Sequence, residues 1–125
     1  MLQVDREKLE KTFYRLVATQ GISGTWDENK STDEIKACFQ EMPYFQQHPE
    51  HLKAFPIPND GFGREVVTAL VKGDGTSNKT IVMIGHSDVV DAQDYGKNED
   101  VAFEPTTLMA RIKGVAMNPD AKKDF

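Results

Sequence analysis

The sequence has little of what membrane, secreted or nucleic-acid-binding proteins need. It carries 15 Lys and Arg against 20 Asp and Glu, a net charge of −5, which repels nucleic-acid phosphates and anionic lipid headgroups. No apolar run approaches the roughly 18 residues that span a bilayer, and charged residues at 5–8 stand where a signal peptide would be apolar. The single cysteine, Cys38, excludes an internal disulfide. These absences predict a cytoplasmic protein without nucleic-acid or membrane partners.

Two amphipathic helices are predicted in the first third of the chain. The first starts near Asp5, because apolar residues recur at helical spacing among charged ones: Leu9, Phe13, Leu16 and Val17. A capping box at residues 31–34 predicts the start of the second helix, which ends before Pro43. Prolines and glycines in residues 44–64 then predict an extended connection without regular structure.

Two adjacent strands are predicted after this connection, at residues 65–72 and 79–84, where Val, Ile and Thr are frequent. A Gly-Asp-Gly turn between them favours antiparallel pairing. Residues 80–84 show no polar alternation, which is typical of a strand covered on both faces. The second strand is therefore expected at the centre of a sheet. A short helix is predicted at residues 108–113.

The residues with most chemical interest follow the second strand, where α/β sheets place ligands. His86 and Asp88 are two positions apart, so in extended backbone both side chains point to the same side while Ser87 points away. A neutral imidazole is a zinc ligand, and a neighbouring carboxylate can accept its other ring N–H and fix the tautomer. The alternative is a structural hydrogen bond between His86 and Asp88 at a strand end.

Two other candidates are interpreted as structural. The segment His48-Pro49-Glu50-His51 has two histidines three positions apart, but Pro49 interrupts any helix that would place both rings on one face. It is therefore interpreted as a solvated loop. Cys38 lies on the apolar stripe of the second predicted helix, and a buried free cysteine behaves as a small hydrophobe.

Residues 9–90 resemble the aminoacylase/carboxypeptidase-G family of dizinc peptidases and amidohydrolases (M20/M25/M40). The shared features are the opening helix with Ile22-Ser23-Gly24-Thr25, the second helix, and the apolar strand that ends in Gly85-His86-Ser87-Asp88-Val89-Val90. Within that family the chain is most similar to the bacterial arginine-utilisation branch. The features that carry this likeness are Met42-Pro43-Tyr44-Phe45, Pro56-Ile57-Pro58-Asn59-Asp60, Gly63-Arg64 and the long insertion after Val90.

The resemblance implies an α/β fold, in which residues 1–125 are the N-terminal portion of one three-layer catalytic domain with a mixed sheet flanked by helices. It implies that His86 is a ligand of one of two zinc ions, and that Asp88 is the catalytic-centre acid that orients it. The other ligands and the general base would lie beyond Phe125, so this chain alone is expected to be inactive. The complete enzyme would be a homodimer that hydrolyses small peptides or N-acyl amino acids. The rival hypothesis is a noncatalytic α/β interaction module.

Overall fold

The computed structural model describes residues 4–113. Its elements are α1 (Arg6–Val17), α2 (Glu28–Gln40), α3 (Pro43–Gln47), a 3-10 turn (Pro49–His51), β1 (Leu52–Pro56), β2 (Glu65–Ala69), a longer 3-10 segment (Gln93–Val101) and α4 (Pro105–Ile112). The chain divides after Asp91 into two compact units. This mixture of helices with one small antiparallel sheet is compatible with the predicted α/β class. The three-layer domain is not confirmed, and the assignment of residues 1–125 to one catalytic domain stays a prediction.

Helix α1 begins where the sequence predicts it. The Asp5 carboxylate accepts the backbone N–H of Lys8 at 3.0 Å, which satisfies one of the four unpaired donors at a helix N-terminus. No residue of α1 is fully buried. Its attachment to α2 is partly electrostatic, because Arg15 forms ion pairs with Glu34 and, at 2.7 Å, with Glu41.

Helix α2 begins at Glu28, three residues before the predicted capping box. Ser31 and Thr32 lie inside the helix and are buried, so the capping-box prediction was wrong. The Glu28 carboxylate instead accepts the N–H of Gly24 at 3.0 Å and fastens the preceding turn to the helix. The helix ends at Gln40, before Pro43 as predicted.

The turn after α1 approaches α2 closely where Gly21 faces Ser31. A Cβ atom added at Gly21 would lie 1.8 Å from Ser31 Oγ and 2.6 Å from its Cβ. Both distances are far inside van der Waals contact, so only glycine fits at residue 21 without movement of the helix or the turn. The packing of this turn on α2 therefore requires glycine at residue 21.

Residues 44–64 contain more regular structure than predicted. Helix α3 and the 3-10 turn each start with proline, whose missing N–H is harmless at the first helical position. Phe45 of α3 is buried and packs edge-to-face on Phe39 of α2, with ring centroids 5.4 Å apart. The 3-10 turn leads directly into β1, so the prediction of an irregular connection was wrong here.

The sheet is a two-stranded antiparallel ribbon of β1 and β2. Its register runs from Leu52 opposite Ala69 to Pro56 opposite Glu65. Strand β2 confirms part of the predicted strand at residues 65–72, but its partner precedes it instead of following it. The turn between the strands is held by Asp60, whose carboxylate accepts the backbone N–H of Phe62 at 3.1 Å and of Arg64 at 2.8 Å.

Residues 80–84 contradict the prediction of a buried central strand. In the described part of the chain this apolar run forms no strand, and its side chains are exposed, from 75% at Val82 to 94% at Ile84. The run has the composition of a buried strand, but the residues described here provide no neighbouring strand or helix to cover it. An apolar composition therefore does not by itself place a segment in a sheet, because burial also requires a covering element.

The second unit contains the longer 3-10 segment and α4. Ala92, Val101 and Ala102 are its buried apolar residues among those described. Helix α4 confirms the predicted helix but starts earlier, at Pro105, and Arg111 within it pairs with Asp100 at 2.7 Å. Within residues 4–113, no helix combines the length and apolarity that a membrane span requires.

The Gly21 contact predicts that Gly21→Ala destabilises the first unit by about 1–3 kcal/mol, the usual cost of overpacking. Chemical denaturation followed by circular dichroism measures this. Gly73→Ala is the control, since no atom lies within 4 Å of a Cβ there. In a Ser31→Gly background the Gly21→Ala substitution should cost much less, because that background removes the clashing atoms. Ser31→Gly alone is the reference for the double variant, since glycine within α2 has its own cost. Equal stability of Gly21→Ala and the wild type would contradict the contact.

Candidate functional site

His86 and Asp88 lie within hydrogen-bonding reach, as their spacing predicts. His86 Nδ1 is 3.2 Å from Asp88 Oδ1 and 3.0 Å from the Asp88 backbone oxygen. A proton on Nδ1 would be donated to these oxygens, which leaves the Nε2 lone pair free. The His86 side chain is 86% exposed, and that of Asp88 is 33% exposed. The pair thus has one oriented imidazole with an accessible nitrogen.

The backbone that carries this pair is held by the turn after α1. Ile22 and Val89 form a parallel β-bridge. The Val89 N–H donates to Gly21 O at 2.9 Å, and the Ser23 N–H donates to Val89 O at 2.8 Å. Strand pairing of residues 80–84 was predicted to fix the position of the His86 segment. Because these residues are not in a sheet, the hydrogen bonds to Val89 fix it instead.

Ser23 also acts on the Asp88 carboxylate through its side chain. A hydrogen bond from the Ser23 hydroxyl is the main cause that holds the pKa of Asp88 below its usual range, and the His86 ring contributes less. The carboxylate is therefore in its ionised form at neutral pH, the form that accepts an imidazole N–H. Sequence reasoning missed this function of Ser23, although its segment belongs to the family resemblance.

A groove of about 270 Å³ runs beside the pair. Residues 85–88 form one of its sides. Its apolar lining comes from Ile35 of α2, Ile57 just after β1, and Val66 and Val67 of β2. Ser87 Oγ lies 3.4 Å from Thr32 Oγ1, so Ser87 contacts α2. This agrees with the expected alternation of side chains along residues 86–88.

The charged side chains of Glu28, Arg64 and Glu65 in the groove already have ion-pair partners. Arg64 reaches the Asp60 carboxylate through Nε at 2.9 Å, and its Nη1 lies 3.2 Å from Glu28 Oε2. The hydrogen bonds that Arg64 donates to Asp60, first from its side chain and then from its backbone N–H, lower the pKa of Asp60 to about 2. The guanidinium is thus used to join the ribbon turn to α2, and its use for a substrate carboxylate would require breaking these pairs.

The histidines at residues 48 and 51 are not separated as predicted. Their rings are nearly parallel, with centroids 5.2 Å apart and planes 18° apart, and Glu50 lies beside both. The interpretation as a solvated loop was wrong, because Pro49 starts a 3-10 turn instead of preventing a helical one. Cys38 is half-buried on α2, and burial raises the pKa of its thiol, in agreement with the structural interpretation.

Comparison with known proteins finds two similar proteins from Bacillus subtilis (strain 168). Protein RocB is 32% identical over 118 residues, which cover 94% of this chain and 21% of RocB. The uncharacterized protein YqjN is 31% identical over 105 residues, which cover 84% of this chain and 18% of YqjN. No protein-family model and no solved structure matches the chain.

The chain therefore spans about a fifth of the length of the curated relatives it matches. The RocB similarity extends over nearly the whole chain and supports a RocB-like relationship, in line with the branch that the sequence resembles. It does not show the wider dizinc peptidase family. The roles of His86 as metal ligand and Asp88 as its orienter stay predictions.

The Arg64 contacts make the stability of the first unit depend on pH. The pKa of Asp60 is lowered in the folded chain to about 2, so its stabilising effect is complete above the unfolded pKa of about 3.9 and declines as pH falls towards 2. Asp60→Asn should therefore lower the free energy of unfolding at pH 7, with a difference from the wild type that shrinks below about pH 4.

Urea denaturation of both proteins between pH 7 and pH 2.5 measures this difference. Glu10→Gln, an exposed substitution on α1, is the matched control and should behave as the wild type throughout. A difference between Asp60→Asn and the wild type that stays constant down to pH 2.5 would show that the carboxylate charge is not what Arg64 recognises.

Proposed function

We propose that this chain is the N-terminal segment of a cytoplasmic dizinc hydrolase that cleaves amide or peptide bonds, with peptides or N-acyl amino acids as substrates. The observation that carries the proposal is the His86 imidazole, which has a free Nε2 at the edge of a groove while Asp88 accepts at Nδ1. The RocB similarity supports it, because it extends over nearly the whole chain.

The donor atoms at this position fit zinc. An imidazole with one nitrogen oriented by a carboxylate is a common arrangement for a zinc ligand, so His86 would hold one ion through Nε2 and Asp88 would fix the ring. When bound, zinc polarises a substrate carbonyl and acidifies bound water. Asp88 contributes by staying ionised, which the Ser23 hydroxyl favours. A catalytic site needs further ligands, which the proposal assigns to the remainder of a longer protein.

The groove gives the proposed enzyme a place for the substrate. Its apolar lining of Ile35, Ile57, Val66 and Val67 suits an acyl chain or an apolar side chain beside His86. Arg64 is bound to Asp60 and Glu28 and shapes this end of the groove instead of binding substrate.

The exposed run at residues 80–84 is consistent with both hypotheses from the sequence. In the proposed hydrolase it becomes a strand covered by the rest of a protein about five times longer, to judge from the relatives. In a noncatalytic interaction module, the same run would bind a partner protein. The pair of His86 and Asp88 favours the hydrolase, because an interaction module does not need an exposed, oriented imidazole.

The proposal predicts that His86→Ala in the longer protein abolishes zinc-dependent hydrolysis of dipeptides and N-acyl amino acids, since it removes a metal ligand. Asp88→Asn should lower activity or zinc affinity by about 10–100-fold, the usual cost of an outer-shell change. Metal analysis and product formation are the measurements. Asp74→Asn makes the same chemical change in an exposed turn and is the matched control.

The 125-residue chain alone is the negative control, because only one ligand is assigned within it. Hydrolysis that persists in His86→Ala would refute the assignment of His86. Loss of activity with unchanged zinc content would indicate that His86 contacts the substrate instead of the metal.

The same proposal predicts that Val82→Asp has little effect on the stability of the 125-residue chain but a large effect on that of the longer protein. In the 125-residue chain the side chain is exposed, so the free energy of unfolding should change by less than about 0.5 kcal/mol. In the longer protein the substitution would bury an unpaired charge, and we expect a loss of at least about 2 kcal/mol. Asn78→Asp, in the exposed turn region, is the control in both. Tolerance of Val82→Asp in the longer protein would show that the run stays exposed there.

A further inference from the structure

His48, Glu50 and His51 form a second group of possible metal ligands, separate from His86. The 3-10 turn brings them together, because side chains three residues apart eclipse each other in that helix type. His48 is the N-cap of the turn and His51 is its last residue. Glu50 Oε1 lies 3.7 Å from His48 Nδ1 and 3.4 Å from His51 Nε2. One ligand atom from each of the three residues lies within 4.8 Å of the others.

His51 is held in a defined orientation by a hydroxyl group behind it. Its Nδ1 lies 2.9 Å from the Tyr44 hydroxyl, which also accepts the backbone N–H of Lys72 at 2.9 Å. A phenol oxygen can accept from both donors, so a proton on Nδ1 leaves Nε2 with its lone pair directed at Glu50. The His51 side chain is only 10% exposed, which restricts other rotamers. This is the support that histidine ligands in metal sites usually have.

We propose that His48, Glu50 and His51 bind a divalent transition-metal ion, with zinc as the expected occupant, and that Tyr44 is the outer-shell partner of His51. Two imidazoles and one carboxylate are a typical ligand set for zinc. In a tetrahedral site with bonds of about 2.0–2.1 Å, ligand atoms are about 3.4 Å apart. The distances to Glu50 Oε1 are already close to this value. The His48 ring is half-exposed, so rotation about its side-chain bonds can bring its nitrogen to this distance from the other two ligand atoms.

The proposed site lies at the opposite end of the ribbon from the His86 groove. His51 immediately precedes β1, and its backbone oxygen accepts the N–H of Leu70, beyond the Leu52–Ala69 pair. The His86 groove contacts the other end, near Ile57 and Glu65. A metal ion here would bind the N-cap and the last residue of the 3-10 turn that leads into β1, and Tyr44 would connect His51 to Lys72 after β2. Its expected effect is to stabilise the first unit. The proposal does not depend on the proposed hydrolase function.

The test is a calorimetric titration of the 125-residue chain with zinc chloride, in a His86→Ala background that removes the other candidate ligand. We expect one zinc ion to bind, and the thermal midpoint to rise with zinc concentration. Tyr44→Phe should weaken zinc binding by about 10–100-fold, the usual cost of losing an outer-shell partner. His48→Ala, His51→Ala and Glu50→Gln each remove a ligand and should weaken zinc binding more than that. Magnesium should not bind, because it prefers oxygen ligands. Zinc should shift the NMR resonances of the His48 and His51 rings.

His48→Ala decides the outcome, because His48 is half-exposed and its loss leaves no buried cavity. Circular dichroism checks that each variant is folded. Unchanged zinc affinity in folded His48→Ala would overturn the proposal. The proposal would also be overturned if the wild type bound zinc and the single substitution His86→Ala abolished that binding. Glu10→Gln removes a carboxylate from α1 and should leave zinc binding unchanged.

Discussion

The His86 segment depends on the bridge between Ile22 and Val89. Two backbone hydrogen bonds join the turn after α1 to the residues that follow His86. That turn can approach α2 only because Gly21 has no side chain where Ser31 lies. The order of dependence is therefore from the packing of Gly21 to the bridge, and from the bridge to the orientation of His86 and Asp88. A substitution at Gly21 would therefore change the orientation of His86 and Asp88 although residue 21 contacts neither side chain.

Local features of this fold could be predicted from the sequence, and pairings over longer distances could not. Helix α1 depends on the spacing of neighbouring residues, and its start near Asp5 was predicted to within a residue. Its Asp5 cap is equally local, but it was not predicted from the sequence. The composition of residues 65–72 predicts strand β2, whereas the Gly-Asp-Gly turn signal after it predicts the wrong partner, residues 79–84. The true partner, β1, contains Pro56 at its end. Proline is tolerated there because the ribbon leaves the outer edges of both strands open.

In the candidate site, too, the local contact could be predicted from the sequence and the contacts between distant residues could not. The contact between His86 and Asp88 follows from their spacing of two, and was predicted. The hydroxyl of Ser23 and the backbone of Val89 come from parts of the chain more than 60 residues apart, and nothing in either segment alone points to the other. The error over His48 and His51 had another cause. Pro49 would break a helix at an interior position, but at the first position of the 3-10 turn its missing N–H costs nothing.

The two groups of histidines differ in what they need to hold an ion. His48, Glu50 and His51 lie within four consecutive residues, so little chain entropy is lost in bringing them together. The fold already holds His51 through Tyr44. His86 has its carboxylate in place but has the greater part of its ring in solvent, and its remaining ligands would have to come from distant residues. A site with local ligands suits a structural ion, which does not need a coordination position open to substrate or water. An exposed nitrogen beside a groove suits chemistry, which needs room for a substrate.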